Sequence, residues 1–483
     1  MAKLLNMKEI LIGRKEEIAL LEKVKNAEKS VFVAVYGRRR VGKTFLIRET
    51  LGDAFTFQVT GIANATLKHQ LLKFHTALLK YFPIIDAQKP PKNWYEAFDL
   101  LIHCLENSAD ERKIVFMDEL PWMDTQQSYF ISALEHFWNS WATKQKNLTV
   151  VICGSAASWM IQNIVRNKGG LHNRLTRRIR LQPFNLNETE QFLRSKYVTL
   201  DRYQIVQLYM VTGGIPQYLN DIQSGESATQ IIDRLCFSKD GWLVDEFNNL
   251  YGALFDSADR HINIVRTLAN KPSGMTRTEL VEESDLSSGG SLTKVLEELS
   301  ESGFISEYIP FNKTSRDTLY KLTDEYSLFY LKFIENNKSS GAGTWMLKAA
   351  SPSWASWSGL AFENIWLKHV PHIKKALGIA AVYTDECAWR FVGKGEERGA
   401  QIDLLIDRSD QSINLCEIKF SSDVYQITKQ DVDNIANKKS VFRYHTKTNK
   451  HLFTTLITTF GAINNSNRVN YINQVVTHDD LFK

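Results

Sequence analysis

The sequence predicts a multidomain α/β protein whose first domain is a parallel sheet covered by helices. Three observations carry that reading. Residues 37–44 spell Gly-Arg-Arg-Arg-Val-Gly-Lys-Thr between an apolar strand and a helix. Short β-branched runs alternate with helical stretches from Val31 to Leu181, the pattern of strands joined by crossover helices. The chain has 483 residues, too many for one hydrophobic core.

The first strand spans Val31 to Tyr36 and feeds a loop with glycine at each end. Gly37 and Gly42 let the backbone curl so that its N–H groups face a triphosphate. Lys43 reaches the β- and γ-phosphates, the Thr44 hydroxyl is a magnesium ligand, and a helix follows near Phe45. Further strands are expected at Phe55 to Val59, Lys113 to Met117, Thr149 to Cys153 and Arg178 to Leu181. The third ends in Asp118-Glu119, the form of a Walker B motif. Asp118 is placed to hold the magnesium hydration shell and Glu119 to polarise the attacking water. Ser155, after the fourth strand, fits two roles, a γ-phosphate sensor and a plain strand-to-helix cap. The segment Leu171 to Arg178 holds several guanidinium groups. Either it is a basic solvated face, or one of its arginines neutralises transition-state charge, with Arg174 the preferred finger.

Asn187 to about Tyr251 reads as helical, a lid after the nucleotide domain, with the turn signal Gly213-Gly214-Ile215-Pro216 inside it. From Ala258 to Glu325 the pattern is three short helices, then a hairpin of Phe304 to Ile309 and Thr318 to Leu322, a winged-helix arrangement. Its recognition helix, Ser288 to Leu299, carries Glu297 and Glu298 beside Lys294. Carboxylates repel phosphates, so a structural role is preferred, with Lys313 and Arg316 left as candidate phosphate contacts. Asn336 to Thr344 is Asn-, Ser- and Gly-rich and reads as a linker.

A last domain begins near Pro352. Ile402 to Ile406 and Ile413 to Lys419 flank a polar turn at Asp407 to Ser412, a β-hairpin. Centring that turn on Asp410 puts Asp403 opposite Glu417, with Lys419 on the same face. Two carboxylates and an amine then converge, a set able to hold magnesium and orient a nucleophile. The helical stretch Leu360 to Trp366 adds Glu363. Later, Lys438, Lys439, Arg443, Lys447 and Lys450 around Phe442 and Tyr444 suit either a strand-tracking basic surface or a solvated helix.

The expected boundaries are 1–184 for the P-loop core, 185–254 for the helical lid, 255–335 for the winged helix, 336–351 for the linker and 352–483 for the last domain. Net charge is +5, which allows an anionic partner without requiring one. No apolar run is long enough for a membrane span, so a cytoplasmic protein is expected. Five scattered cysteines argue for reduced, buried thiols. His369 and His372, separated by Pro371, read as ordinary surface histidines. Trp345, Trp354, Trp357 and Trp366 read as packing anchors.

Ile12-Gly13-Arg14 with Glu17, the phosphate loop, Asp118-Glu119 and Gly213-Gly214-Ile215-Pro216 together resemble the archaeal-type ATPase family, a STAND-like branch of the AAA+ superfamily. The resemblance implies that Gly13 and Arg14 flank the adenine and that Gly213, Gly214 and Pro216 dock a lid helix over the nucleotide. Gln217 and Tyr218 follow where a sensor arginine would stand, which argues against a continuously cycling ring motor. Glu363, Asp403, Glu417 and Lys419 fall on the motif positions of the PD-(D/E)xK, or restriction-endonuclease-like, superfamily. The joint expectation is a Mg2+-dependent, ATP-hydrolysing switch controlling a nuclease-like domain that acts on DNA, in defence or mobile-element processing. That domain would use Mg2+ or Mn2+, with a homo-oligomer or another protein as a further partner. The alternative is an ATP-gated scaffold or signalling switch whose nuclease fold is catalytically silent.

Overall fold

The computed structural model describes residues 11–83, 89–167, 169–171, 173–255, 257–284, 289–337, 341–393, 395 and 397–483. These form two compact units, residues 1–183 with short returns at 215–217 and 254–256, and residues 184–214, 218–253 and 257–483.

The first unit is built on five strands, β1 (Val31–Tyr36), β2 (Phe57–Thr60), β3 (Lys113–Asp118), β4 (Leu148–Gly154) and β5 (Arg177–Arg180). Every pairing is parallel, in the spatial order β2-β3-β4-β1-β5. β1 and β4 are buried at every residue, which explains their largely apolar character. Helices α1 (Lys15–Lys25), α2 (Lys43–Leu51), α3 (Leu67–Tyr81), α4 (Trp94–Glu106), α5 (Leu120–Met123), α6 (Phe130–Ser140) and α7 (Ala157–Met160) alternate with the strands. Phe74, Trp94, Phe98, Phe130 and Phe137 from α3, α4 and α6 pack as one aromatic block against Phe32, Phe57 and Val115 of the sheet. The strands match the sequence expectation to within two residues at each end.

After residue 183 the chain forms α8 (Leu186–Ser195), α9 (Arg202–Thr212), α10 (Pro216–Asn220), α11 (Ala228–Cys236) and α12 (Glu246–Leu254), all in the second unit but for the first two residues of α10 and the last of α12. Asn185 and Ser227 close capping boxes at the starts of α8 and α11. Next come α13 (Ala258–Ala269), β6 (Met275–Thr276), α14 (Arg277–Ser284), α15 (Gly290–Glu301), β7 (Ile305–Tyr308) and β8 (Leu319–Leu322), with an antiparallel sheet in the order β6-β8-β7. The proposed recognition helix is thus seen as α15, and its expected first residue, Ser288, lies outside the described residues. Glu298 on α15 accepts a hydrogen bond from His261 Nε2 of α13 at 2.8 Å, so this carboxylate is engaged within its own bundle.

The expected linker is ordered structure over its described second half. α16 (Glu325–Phe329) precedes it, and residues 344–348 form α17 (Thr344–Lys348), whose Trp345 is 1% exposed. The Asp233 carboxylate of α11 accepts from the Gly343 and Trp345 amides at 2.7 Å each. Polar composition misled here because one buried tryptophan and one carboxylate accepting two amides outweigh the Asn, Ser and Gly around them. Trp345, Trp354 and Trp357 form one aromatic cluster with Phe329 and Phe333. Trp366 packs on Phe362 instead.

The last segment has α18 (Pro352–Lys368), α19 (Val370–Ala376), β9 (Thr384–Phe391), β10 (Ala400–Arg408), β11 (Ser412–Lys419), α20 (Lys429–Thr446), β12 (His451–Thr458), α21 (Ser466–Tyr471) and β13 (Gln474–Thr477). The sheet order is β13-β12-β11-β10-β9. β9, β10 and β11 are antiparallel, while β12 and β13 run parallel to β11. The crossover from β11 to β12 is α20, as a parallel step requires. Among the described residues no helix is long and apolar enough to cross a membrane. The five cysteines are unpaired thiols, four of them buried.

Candidate functional site

β1, β4 and β3 are parallel neighbours, so the loops leaving their C-terminal ends share one edge of the sheet. The phosphate loop, Ser155 and Asp118-Glu119 are those three exits. In an open parallel sheet this edge is where ligands bind.

Gly37 leaves β1 with φ +146°, and a Cβ there would stand 2.3 Å from the Leu181 carbonyl oxygen. Only glycine fits. The loop closes through Gly42 in the left-handed region, and α2 starts at Lys43 with its first amides directed at the loop. Lys43 Nζ donates to the carbonyls of Gly37 at 3.0 Å and Arg38 at 2.9 Å, so the ammonium lies across the loop. Burial pushes its pKa down, against the pull of Cys153, Glu119 and Asp118. Gly13 and Arg14, both at positive φ, turn the chain into α1, and Arg14 Nη2 donates to Val41 O at 3.3 Å. The segment before β1 is thereby held against the phosphate loop.

Thr44 Oγ1 faces both carboxylate oxygens of Asp118, each at 3.1 Å. Burial raises the Asp118 pKa, and the neighbouring Glu119 charge adds to it, while hydrogen bonds from Thr44 and Cys153 oppose. A hydroxyl and a buried carboxylate are hard oxygen donors and fit Mg2+, which keeps most of its waters and takes few protein ligands. Glu119 has φ 48°, a left-handed turn that ends β3 and opens α5. Its Oε2 accepts from the Ser155 amide at 3.1 Å and the Ser155 hydroxyl at 2.8 Å.

The direction of β5 bears on Arg174, whose action on its own or a neighbouring chain's nucleotide the sequence leaves open. β5 pairs with β1 from Arg177 beside Val33 to Arg180 beside Tyr36, and Thr176 N donates to Phe32 O. Arg174 therefore lies before the strand, at the sheet edge opposite the phosphate loop. The length of β1 separates them, on the order of 20 Å at about 3.3 Å per residue. It cannot reach the nucleotide of its own chain. Arg180, at the far end of β5 and beyond that segment, lies on the loop's edge beside Tyr36. Strand direction settles this, and composition carries no sign of it. His172 of the same segment lies outside the described residues.

Gly213 and Gly214 end α9 in the second unit. A Cβ on Gly214 would meet the Phe184 carbonyl oxygen at 2.1 Å. That close approach is set by Phe184 N donating to Gly214 O and by Tyr209 OH donating to Phe184 O, each at 2.9 Å. The paired glycines thus have a packing reason within the unit. Pro216 opens α10, where its missing N–H costs nothing.

In the C-terminal sheet Leu404 pairs with Cys416, Leu405 with Leu415 and Arg408 with Ser412. This is the register in which Asp403 and Glu417 come next, as the turn position implies. Glu417 Oε1 pairs with Lys419 at 2.9 Å and its Oε2 with Lys438 at 2.6 Å. Burial alone would raise the Glu417 carboxyl, yet the two ammoniums hold it below the usual range. Asp403 Oδ1 accepts from Gln401 Nε2 at 2.6 Å. Glu363 on α18 pairs with Lys321 of β8 at 2.7 Å. Burial raises its pKa, Lys321 opposes, and the charges of Asp403 and Glu417 add to the rise. The other two carboxylates thus act on Glu363. Among the described residues, however, no three His, Cys, Asp or Glu side chains form a group able to hold a metal. Glu363 and Glu417 are each paired with lysines instead.

Two other expectations change. Phe442 is fully buried with Trp389 and Leu405, so it cannot stack on bases, and Lys438 and Lys450 are paired with Glu417 and Asp407. Val432, Ile435 and Phe442 all face the core from α20, a helical spacing that could have shown this. His369 is 5% exposed, hydrogen-bonds Ile365 O at 2.7 Å, and is driven by burial to a pKa of about 4. Lys321 was missed altogether, since no local pattern links it to Glu363.

A parallel sheet with the phosphate loop, the strand-end carboxylates and Ser155 on one edge is the architecture of a P-loop nucleotide-binding domain. Residues 11–222 match the family described as an ATPase domain predominantly from Archaea, and the chain carries such an archaeal-type ATPase domain. The uncharacterised protein MJECL04 of Methanocaldococcus jannaschii is 22% identical over 420 residues, spanning 85% of this chain and 88% of that relative. The uncharacterised ATP-binding protein MJ0423 of the same organism is 48% identical over 42 residues, 9% of this chain and 71% of the relative. Among solved structures, the Walker-type ATPase PABY2304 of Pyrococcus abyssi aligns with a TM-score of 0.48 and 17% identity. That alignment covers 67% of this chain and 96% of the other.

Proposed function

We propose that the first unit binds Mg2+ and ATP, hydrolyses the γ-phosphate, and acts as a switch on a nuclease-like C-terminal domain directed at DNA. The reading takes the chain as a STAND-like AAA+ protein, with a winged helix at 255–335 and a PD-(D/E)xK fold at 352–483. The observation that carries it is the meeting of Thr44, Asp118, Lys43, Glu119 and Ser155 on one sheet edge. Thr44 and Asp118 would hold the magnesium, which when bound offsets phosphate charge. Lys43 neutralises the β- and γ-oxygens, and the loop amides orient the chain of phosphates. Glu119 accepts the proton of the attacking water, with Ser155 fixing one carboxylate oxygen so that the other faces the substrate. Gly13 and Arg14 at the adenine, and Gly213, Gly214 and Pro216 at the lid, belong to the same reading and rest on the family resemblance. For the C-terminal domain, Asp403, Glu417 and Glu363 would be the metal-binding carboxylates and Lys419 the catalytic amine.

The test is nucleotide binding and turnover side by side. Lys43→Ala should lose ATP binding, and Glu119→Gln should bind ATP and fail to release phosphate. Normal turnover by Glu119→Gln would sink the assignment. DNA cleavage with Mg2+ or Mn2+, lost in Asp403→Ala and Lys419→Ala, tests the second half.

The lysines paired with Glu363 and Glu417 favour a second reading, in which the C-terminal fold is silent and the protein is an ATP-gated scaffold. Absence of cleavage of DNA or RNA by the wild-type chain would select it.

A further inference from the structure

The turn that carries Glu119 is held from behind by a side chain that belongs to none of the motifs. Gln70, on α3, is 2% exposed, and its three hydrogen bonds all go to main-chain groups of two other segments. Its Oε1 accepts from the Ile62 amide at 3.1 Å, and its Nε2 donates to the Ile62 carbonyl at 2.6 Å and to the Trp122 carbonyl at 2.7 Å. The amide has one orientation here, since turning it over would set its oxygen against two carbonyls. Ile62 lies in the loop leaving β2, and Trp122 in α5, which opens directly after Glu119.

These two segments enclose the turn. Thr60 stands beside Asp118 in the parallel register of β2 and β3, and the Gly61 amide donates to the Asp118 carbonyl at 2.9 Å. A Cβ on Gly61 would stand 2.6 Å from the Glu119 carbonyl oxygen, so the exit of β2 lies directly on the turn. That same oxygen accepts from the Trp122 amide at 3.0 Å. Glu119 has φ 48°, a conformation unfavourable for any residue with a side chain, which persists only where its surroundings enforce it. Ser155 fixes the end of the Glu119 side chain, and Gln70 fixes the main chain from which it springs.

We propose that Gln70 is a positioning residue for ATP hydrolysis, tying the exit of β2 to α5 so that the left-handed turn at Glu119, and with it the direction of the carboxylate, is set before nucleotide arrives. This rests on the reading of Glu119 as the group that activates the attacking water. The partners of Gln70 are backbone groups, and it acts on the carboxylate only through them. An apolar side chain of the same length would fill the space, yet would leave the Ile62 amide and the Trp122 carbonyl unmatched and the two segments untied. The contacts of Lys43 with the phosphate loop and of Thr44 with Asp118 are made without Gln70, so its loss is felt in turnover and not in the hold on ATP.

The experiment measures ATP binding and phosphate release by the full-length protein with Mg2+. Gln70→Met keeps the length of the side chain and removes the amide. Its kcat should fall about ten- to hundredfold, the scale of a small misplacement of a catalytic group, while the Kd for ATP stays within about twofold. Gly61→Ala presses on the same turn from the β2 side and should show the same split. Thr56→Val is the control. It deletes the hydroxyl that accepts from the Ile114 amide at 3.2 Å, at the opposite end of β2 and β3, and should lose stability in denaturant while keeping kcat within about twofold. An unchanged kcat in folded Gln70→Met would overturn the positioning role and leave hydrolysis standing. So would a loss of ATP affinity in step with kcat, or an equal loss of kcat in Thr56→Val, since each marks a general loosening of the domain. Should Gln70→Met fail to fold, Gly61→Ala decides by the same split, and failure of both to fold would assign Gln70 to folding and overturn the role. A wild-type chain that binds ATP without turnover would overturn the hydrolytic reading and the positioning role together.

Discussion

Ser155 gives both its backbone N–H and its hydroxyl to one oxygen of Glu119, at 3.1 and 2.8 Å. The carboxylate is thereby fixed by a residue on the next strand, while its own backbone is held in a left-handed turn. Removing the hydroxyl leaves the amide contact and lets the carboxylate rotate. Ser155→Ala should lower kcat for ATP about tenfold or more, the worth of one hydrogen bond to a charged group. KM should change little and Ser155→Thr should retain activity. A rise in kcat would show that the contact restrains Glu119 instead of aiming it.

The floor of the phosphate loop is a steric matter. Gly37→Ala sets a methyl 2.3 Å from the Leu181 carbonyl, whereas Gly42, also at positive φ, has open space around its Cβ position. Gly42→Ala should cost about 1–2 kcal/mol from backbone strain alone. Gly37→Ala should cost more, because β1 or β5 must shift. Denaturant unfolding of the two variants orders them, and equal losses would contradict the close approach.

Arg174 and its own phosphate loop occupy opposite sheet edges, so Arg174→Ala should leave turnover within about twofold at protein concentrations where the chain is monomeric. Arg180→Ala is the paired variant to measure. A loss in Arg174→Ala that appears only as concentration rises would assign the guanidinium to a neighbouring copy's site.

His369 is buried as the neutral ring, with its pKa lowered from 6.5 to about 4. A depressed folded pKa contributes stability that is complete above the unfolded value and lost as pH falls. The second unit should therefore hold its stability above pH 6.5 and lose about 3 kcal/mol between pH 6.5 and 4 from this one group. His369→Gln keeps a donor for Ile365 O and should flatten that part of the curve. An unchanged slope would mean that other groups govern the acid limb.

Much of the first unit was legible because its signals are local. Val31 to Thr44 contains strand, loop and helix start in one run, and the phosphate loop upstream gives Asp118-Glu119, which alone would read as a solvated strand end, its functional reading. The C-terminal hairpin was legible for another reason. Antiparallel pairing ties Asp403 to Glu417 by arithmetic once the turn at Asp407 to Ser412 is recognised. What escaped depends on tertiary packing. Arg174 needed the direction of β5 relative to β1. Lys321 meets Glu363 across 42 positions of chain. Phe442 looked like part of a basic surface, because its polar neighbours dominate the local composition.

The seat of Gly37 against Leu181 gives the nucleotide site an order of assembly. The motif residues are all present once β4 has been made, yet the loop is still open beneath, because Leu181 N must first donate to Tyr36 O and bring its own carbonyl under Gly37. During synthesis the chain thus carries a complete signature before it has a complete pocket. An N-terminal fragment stopping after Ser155 would display every phosphate-binding residue and still lack the buttress that shapes them. One extending through β5 would have it.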